Sequence, residues 1–425
     1  MAALLIVSLL VMLGLGFPIF LTLVLPSIMT LLKYFSHLDP AVAVQRMVVG
    51  VDKFSLMAIP FFMYAADVMS EGEIGKRLVN LAKTLVGHFT GGLAMATVLA
   101  CLIFGAISGA GAAAVVAIGL VVLGPLMQAG YDTDFSVGLI LSSSTLAMLI
   151  PPSIAYVLYA TITGASVGVL FISGLGAGVI FGLAFMIYSY FYAKKHRIPL
   201  EKKVTLSEAM ASIKESIWAL GLPIVIIGGI YSGLFTPTEA AAVAAMYAIF
   251  VEMVIYKSID LKKLYEISVH SGKTIAMLMI LIAAGSVLSW VMTAAQIPQA
   301  MVNLLGGSSK TVVLLVINIV FLMAGMLIDP NSAIIVLTPL VYPVAQAVGI
   351  DTVHLATIMV LNLAIGMLTP PFGLNIFVAT GVFKIPYEKI VQGLMPFIAI
   401  SLVVLLIITY VPGTALWLPR ILYGY

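Results

Sequence analysis

Two stretches of this chain combine polar side chains with a pair of adjacent prolines inside otherwise apolar sequence. Residues 132–152 begin with aspartate, pass a run of serines and end in Pro-Pro, and residues 351–371 begin with aspartate, pass an asparagine and also end in Pro-Pro. One offset of 219 residues relates the aspartates and the prolines of the two stretches. The spacing indicates an internal repeat, and interrupted apolar segments at matching positions of two halves are typical of ligand sites in membrane transporters.

The proline pairs leave backbone oxygens without their usual partners, because proline has no N–H to donate to the carbonyl four residues earlier. The carbonyls affected are those of Ala147, Met148, Gly366 and Met367. Inside a membrane these oxygens need a sodium ion, a bound water or a neighbouring hydroxyl as a partner. Neighbouring groups ordinarily satisfy a single proline kink, but two copies at one offset favour a site for an ion or a substrate.

Two further segments would complete such a site. The segment from Gly105 to Gly111 places Ser108 among glycines that let the backbone approach a ligand closely. A helix that begins near Gly111 would direct its positive end at an anion. In the second segment, Asp329 is a carboxylate deep in apolar sequence. It is either functional or the N-cap of a helix that begins at Pro330, and the two roles are compatible.

We expect a small anionic substrate between these segments, because they place hydroxyl and amide groups close to helix ends. The candidate side chains are those of Ser108, Ser143, Ser144, Asn331 and Asn375. Arg46 is a further candidate for binding a carboxylate or sulfonate, and the alternative is an arginine that lies at the membrane interface.

The elements that carry these residues are predicted to be transmembrane helices. Of the 425 residues, 62% are hydrophobic and 9% are charged, and a chain in lipid must pair its backbone groups internally. Segments 91–127 and 309–348 are too long for one crossing and have polar or glycine-rich centres, so we interpret them as re-entrant helical hairpins. Segments 135–163 and 354–383 are the broken helices, 2–32 is a spanning helix bent near residues 16–18, and 74–85 and 260–272 are amphipathic surface helices.

The distribution of positive charge predicts the orientation. Loops 70–90, 193–215, 257–273 and 384–392 hold 15 of the 20 Lys and Arg residues, which places these loops in the cytoplasm. The first hairpin then enters from the cytoplasmic side. Five full spans separate it from the second hairpin, which must enter from outside because that number is odd. The two repeats are therefore inverted relative to each other.

Other classes of protein lack support in the sequence. There is no Walker motif, no nucleophile–base pairing and no metal-ligand spacing of histidines, and the single cysteine, Cys101, is most simply a packing residue. An intramembrane enzyme would need paired catalytic groups at depth, and only Asp329 qualifies. A channel is a further alternative, although hairpins that enter from opposite sides fit alternating access better. We therefore expect a transporter and not an enzyme.

Several motifs resemble the large membrane subunit of the tripartite ATP-independent periplasmic (TRAP) transporters, and the resemblance covers essentially the whole chain. The matching stretches are 105–111, 125–132, 150–153, Phe235–Ala242 with its Thr-Pro-Thr-Glu core, Asp329 and 369–373. The chain departs from the family at Ala110, where many members have serine. The family belongs to the ion transporter superfamily, and the resemblance implies import of organic acids driven by a sodium gradient.

The resemblance also implies an elevator mechanism within one integral membrane unit, residues 1–425. Segments 91–192 and 309–412 would form the two halves of a transport domain, and 1–69 and 193–296 mainly the scaffold and arm helices. Taken with the released carbonyls, it places one sodium site at Ser108, Ala147, Met148, Ile150 and Pro151. The second sodium site comprises Gly325, Asp329, Gly366, Met367 and Thr369.

The implied partners are a separate small membrane subunit of four helices and a periplasmic substrate-binding protein, at the bacterial inner (cytoplasmic) membrane. The substrate class remains open between C4-dicarboxylates, sialic acid, other sugar acids and sulfonates. The competing interpretation is a standalone sodium/dicarboxylate symporter of the same superfamily, which needs no binding protein.

Overall fold

A computed structural model describes residues 1–200, 206–305 and 307–425, and among these residues it contains helices and no strands. The helices are α1 (Ala2–Gly14), α2 (Ile19–Tyr34), α3 (Ala41–Val51), α4 (Ala58–Ser70), α5 (Ile74–Val86), α6 (Gly92–Ser108), α7 (Gly111–Gln128), α8 (Thr133–Ser144), α9 (Ile154–Thr163), α10 (Val167–Lys195), α11 (Leu206–Tyr231), α12 (Pro237–Phe250), α13 (Leu261–Ala294), α14 (Ile297–Leu305), α15 (Lys310–Leu327), α16 (Pro330–Ala347), α17 (Thr352–Gly366), α18 (Leu374–Phe383), α19 (Tyr387–Tyr410) and α20 (Gly413–Tyr423). Short 3₁₀ turns at 54–57 and 145–148 and a π turn at 251–255 complete the helical segments.

Both predicted hairpins are present. Helices α6 and α7 are separated by two residues, as are α15 and α16. Both helices of the first hairpin pack along α8, and both helices of the second pack along α17. Gly109 allows the turn between α6 and α7, because its φ of +60° lies in the left-handed region that favours glycine.

Both predicted broken helices are present as well. The first consists of α8 and α9, and the second of α17 and α18. Pro151-Pro152 and Pro370-Pro371 lie in the two breaks, where the missing N–H groups prevent the helix from continuing. Asp132 and Asp351 precede α8 and α17 as their N-cap residues, so the repeat found in the sequence is also a repeat of structural elements.

The described residues include seven helices that are long and apolar enough to cross a membrane, or up to eight if a bent pair counts as one span. Four of them, α10 to α13, lie between the first broken helix and the second hairpin. Together with the broken helix they make the odd number of crossings that inverts the second repeat. The order hairpin, broken helix, long helix occurs twice, ending in α10 and in α19.

The structure corrects three details of the scaffold. Segment 2–32 is two helices interrupted at 15–18, not one bent helix. Segment 260–272 is not a separate surface helix, because α13 continues without interruption for 34 residues. A helix that the sequence did not reveal, α3, forms a pair with the segment from Phe54 to Ser70 that is bent by 63°.

The amphipathic helix α5 lies where the sequence places it, with Ile74, Leu78 and Leu81 buried and Lys76 exposed. Its N-cap residue makes no capping bond with its own side chain. Instead the carboxylate of Glu252, which is fully buried, accepts a hydrogen bond from the Glu73 backbone N–H at 3.3 Å. An acidic group at a helix N-terminus is favoured by the helix dipole. A residue 179 positions away therefore anchors the start of α5.

Candidate functional site

The two hairpin tips and the two helix breaks meet around one cavity of about 120 Å³. Each hairpin tip and each broken helix contributes to the lining, so the four elements predicted to form the site are brought together. The lining residues are Gly109, Ala110, Gly111, Ala112, Met148, Ile154, Ala155, Asp329, Pro330, Asn331, Met367 and Leu374.

The first break is held against the first hairpin tip by contacts that leave no space for a side chain. A Cβ on Gly105 would lie 2.6 Å from the Cα of Ala147, and a Cβ on Gly109 would lie 1.9 Å from the carbonyl oxygen of Pro152. Ser108 is buried between these two glycines, and its Oγ accepts from the Ala110 N–H at 3.4 Å. The tip therefore fits directly onto the break.

The carbonyl oxygens of Ala147 and Met148 have no replacement, among the described residues, for the helical partners that the prolines remove. The Ile150 N–H donates to the Leu146 carbonyl at 3.1 Å and so does not serve the carbonyl of Ala147. The next two residues are prolines and cannot donate. In the described part of the chain no hydrogen bond to the Ala147 or Met148 carbonyl is found outside the helices. Ala147 is fully buried, and Met148 is nearly fully buried and lines the cavity.

The second break differs from the sequence expectation. The Gly366 carbonyl accepts from the Thr369 N–H at 3.0 Å, and the Met367 carbonyl accepts from the Asn375 N–H at 3.2 Å. Both oxygens lose their helical partners, as the prolines predict, but the chain folds back and supplies other backbone N–H groups, a kind of partner that the sequence did not indicate. A carbonyl oxygen has two lone pairs, so each still has one for an ion. The Thr369 hydroxyl donates to the Ile365 carbonyl at 2.8 Å and likewise keeps its lone pairs.

Gly325 packs against the second break as Gly105 packs against the first. A Cβ on Gly366 would lie 2.5 Å from the Cα and carbonyl carbon of Gly325. Asp329 caps α16: one carboxylate oxygen accepts from the N–H groups of Asn331 at 3.0 Å and Ser332 at 3.1 Å. The other oxygen accepts from the Ser332 hydroxyl. The capping role considered from the sequence is therefore present, and Asp329 also lines the cavity.

Of the other predicted substrate residues, one lines the cavity, three are buried outside its lining and one lies away from it. Asn331 lines the cavity. Ser144 and Asn375 are fully buried outside the lining and bond to each other, with Asn375 Nδ2 donating to Ser144 Oγ at 3.1 Å. Ser143 is also fully buried, and its hydroxyl has no hydrogen-bond partner among the described residues. Arg46 does not reach the cavity; it lies on α3 with its guanidinium 5.2 Å from the centre of the Trp290 ring.

Two helices begin at the cavity, and only one of them has a capped N-terminus. We did not predict this difference from the sequence. The N-terminus of α16 already binds the Asp329 carboxylate. The N-cap of α7 is Ala110, which has no side chain that can accept a hydrogen bond. The first N–H groups of α7 thus remain available beside the cavity. The signal was present in the sequence, because Ala110 and Asp329 are related by the repeat offset of 219 residues.

This arrangement of helices defines a class, the multi-pass helical membrane transporters built from paired hairpins and broken helices. The fold agrees with the crystal structure of the YdaH transporter of Alcanivorax borkumensis, which matches with a TM-score of 0.59 and 14% sequence identity over 90% of this chain and 88% of that one. At that identity the likeness concerns the fold alone.

The sequence gives the family. Residues 6–414 match the model of the DctM component of the tripartite ATP-independent periplasmic transporters, and the chain belongs to this family. It is 40% identical over 421 residues to the ectoine/5-hydroxyectoine TRAP transporter large permease protein UehC of Ruegeria pomeroyi, covering 98% of both chains. It is 42% identical over 371 residues to the C4-dicarboxylate TRAP transporter large permease protein DctM of Pseudomonas aeruginosa, covering 87% of both. The protein is therefore a transporter permease and not an enzyme.

Proposed function

We propose that this permease imports a small organic anion across the bacterial inner membrane, driven by sodium, with its two hairpins and two broken helices forming the transport site. The observation that carries the proposal is the single cavity bounded by both hairpin tips and both helix breaks. A cavity shared by two repeats is where a transporter can present its ligand to either side of the membrane.

The first break supports a sodium ion at the carbonyls of Ala147 and Met148, with Ser108, Ile150 and Pro151 around it. Neutral oxygens suit a hard monovalent cation, and these two receive no hydrogen bond outside the helices in the described part of the chain. The second ion would lie at the second break. The residues proposed there are Gly325, Asp329, Gly366, Met367 and Thr369.

The uncapped N-terminus of α7 favours an anionic substrate at the first hairpin tip. Its free N–H groups and positive dipole end adjoin the cavity at Gly111 and Ala112. The corresponding end of α16 repels a second anion, because the Asp329 carboxylate already occupies it. A carboxylate on the substrate would therefore bind at the α7 side, with Asn331 available as a polar contact.

The family description names a tripartite, periplasmic system of which this chain is one component. We infer that the chain works with a periplasmic substrate-binding protein and a small four-helix membrane subunit. A standalone symporter has less support, since both relatives are large permease proteins of TRAP transporters. Their substrates differ, and we infer that the binding protein does much of the selecting.

An elevator movement would carry the cavity across the membrane. The proposed transport domain comprises 91–192 and 309–412, and the scaffold and arms comprise 1–69 and 193–296. At this boundary Lys53 donates from its Nζ to the Thr161 carbonyl, at 2.8 Å, at the end of the first broken helix. This polar contact between the two groups of helices would break whenever the transport domain moves.

The experiment is uptake by the full complex in liposomes, with a radioactive C4-dicarboxylate and an imposed sodium gradient. We expect uptake to stop when potassium replaces sodium. We also expect Thr369→Ala to raise the half-saturating sodium concentration about tenfold, which corresponds to the loss of about 1.4 kcal/mol of ion binding.

Thr380→Ala is the matched control, because the Thr380 hydroxyl makes the same kind of bond, to the Ile376 carbonyl at 2.9 Å, outside the proposed site. It should leave sodium activation unchanged. Uptake that is equally fast in potassium would reject sodium coupling. If Thr369→Ala kept the wild-type sodium dependence, Thr369 would not belong to the ion site.

A further inference from the structure

Asn375 connects the two halves of the cavity region. Its side-chain nitrogen donates to Ser144 Oγ at 3.1 Å, and its backbone N–H donates to the Met367 carbonyl at 3.2 Å. Ser144 lies three residues before Ala147 in the first broken helix, whereas Met367 lies in the second break. One residue thus bonds to the segments that carry both proposed sodium sites.

These bonds lie where water cannot replace them. Asn375 and Ser144 are fully buried, and Met367 is 3% exposed. The Ser144 hydroxyl donates a hydrogen bond to the Leu141 carbonyl at 2.6 Å, so its oxygen is oriented to accept from Asn375. A buried donor that loses its partner is destabilising, and the two breaks are therefore not free to shift independently.

The tip of the first hairpin rests on the same three residues. A Cβ on Gly111 would lie 3.4 Å from Asn375 Nδ2, 3.4 Å from the Ser144 carbonyl and 3.7 Å from the terminal carbon of Met367. The second hairpin is tied to the same loop, because the Gly373 N–H donates to the Met326 carbonyl at 3.3 Å. All four elements around the cavity are thus linked through the loop that ends at Asn375.

We propose that the hydrogen bond between Asn375 and Ser144 couples the two sodium sites, so that an ion at one break raises the affinity of the other. The inference rests on the proposed function, since it presupposes two sodium ions. Coupling requires an element whose arrangement both sites bias. The Met367–Asn375 loop is such an element. A sodium ion bound to the Met367 carbonyl would order this loop, and the ordered loop would hold the Asn375 side chain against Ser144 in the first broken helix. Asn375 is thus a positioning residue.

The test is equilibrium binding of radioactive sodium to the purified full-length protein in nanodiscs, at constant ionic strength with choline as the replacement cation. For the wild type we expect a Hill coefficient between about 1.5 and the limit of about 2 for two sites. Ser144→Ala and Asn375→Ala should each lower it to about 1, and the double variant should lower it no further. Ser144→Ala removes only a hydroxyl, so it remains informative if Asn375→Ala does not fold.

Ser136→Ala is the matched control, because Ser136 is equally buried on the same helix and its hydroxyl has no hydrogen-bond partner among the described residues. It should keep the wild-type Hill coefficient. The inference is overturned if both test variants bind sodium with wild-type cooperativity, or if the wild type itself binds without cooperativity. A wild type that binds no sodium at all would instead contradict the proposed function.

Discussion

Ala110 and Asp329 occupy equivalent positions, each one residue before the second helix of a hairpin. The aspartate uses its carboxylate to bind the first N–H groups of α16, whereas the alanine leaves those of α7 unbound. One methyl group in place of a carboxylate would thus decide which end of the cavity attracts the proposed anionic substrate. The polarity of the site is a property of these two residues, since the helices around them repeat closely.

This asymmetry predicts the effect of a single substitution at the first tip. Ala110→Asp should cap α7 as Asp329 caps α16, and the added charge should repel the substrate. We expect the KM for an organic anion to rise about tenfold or more, from the loss of about 1.4 kcal/mol of binding. The measurement is initial uptake in liposomes as a function of substrate concentration. Ala110→Asn is the control: it caps without charge, so a KM equal to that of Ala110→Asp would show that the charge is not responsible.

At the scale of elements, the hairpins and breaks are joined by direct backbone contact at glycines. The first repeat pairs Gly105 with Ala147, and the second pairs Gly325 with Gly366. In both, the last turn of a hairpin helix lies against the last turn before the prolines. Such contacts leave little freedom in the distance between tip and break, because packed interiors do not accommodate extra atoms freely.

Gly366→Ala therefore tests the close contact in the second repeat. The added methyl group would lie 2.5 Å from the Gly325 backbone, and overpacking of this kind typically costs about 1–3 kcal/mol. We expect a lower thermal unfolding temperature and weaker sodium activation of uptake. Gly381→Ala is the control, because a Cβ on Gly381 meets nothing within 4 Å. Equal stability of the two variants would contradict the role assigned to this contact.

A second element-scale prediction concerns the anchor of α5. Glu252 accepts from the Glu73 N–H and from the Ser258 hydroxyl, and Gly72 leaves space for its carboxylate. Glu252→Ala would leave the Glu73 N–H without this acceptor, whereas the Ser258 hydroxyl would keep its second acceptor, the backbone carbonyl of residue 252 at 3.2 Å. Because both donors are only partly buried, we expect a cost at the low end of about 1–3 kcal/mol. Thermal unfolding should show a clear loss for Glu252→Ala and a smaller one for Glu252→Gln, which keeps an accepting oxygen. Identical unfolding of the alanine variant and the wild type would mean that α5 needs no anchor.

At the scale of the whole molecule, the distribution of Lys and Arg predicts how the chain is oriented in the membrane. The number of membrane crossings between the two repeats predicts that they are inverted relative to each other. Most Lys and Arg residues lie in the four segments that the sequence places in the cytoplasm, and an odd number of predicted crossings separates the two repeats. We therefore expect the hairpins to approach the cavity from opposite sides of the membrane. This arrangement suits a transporter, because each side of the membrane has its own hairpin that can open.

Orientation can be checked by labelling in intact cells with a membrane-impermeant maleimide, in a Cys101→Ser background. Leu234→Cys lies in the exposed loop between α11 and α12 and should be labelled from outside. Lys262→Cys lies at the exposed start of α13 and should be labelled only after the cells are permeabilised. Labelling of Lys262→Cys in intact cells would reverse the assigned topology.

The sequence by itself determined the repeat, the two hairpins and the two helix breaks. These features follow from local physics: a proline has no N–H wherever it lies, and the length of an apolar segment limits how it crosses a membrane. The same local signals indicated the cavity residues at the hairpin tips, Gly109 to Gly111 and Asp329 to Asn331. The pattern of an aspartate followed by a Pro-Pro pair recurs at one offset, and this repetition makes it stronger evidence for a site than a single copy would be.

Only the tertiary structure decided which polar groups become partners. Asn375 bonds to Ser144 across 231 residues, and Glu252 bonds to Glu73 across 179. The chain also returns N–H groups to the Gly366 and Met367 carbonyls, and Arg46 lies against Trp290, away from the cavity. No local pattern encodes these outcomes, because the partner of a buried polar group depends on which distant segments pack beside it.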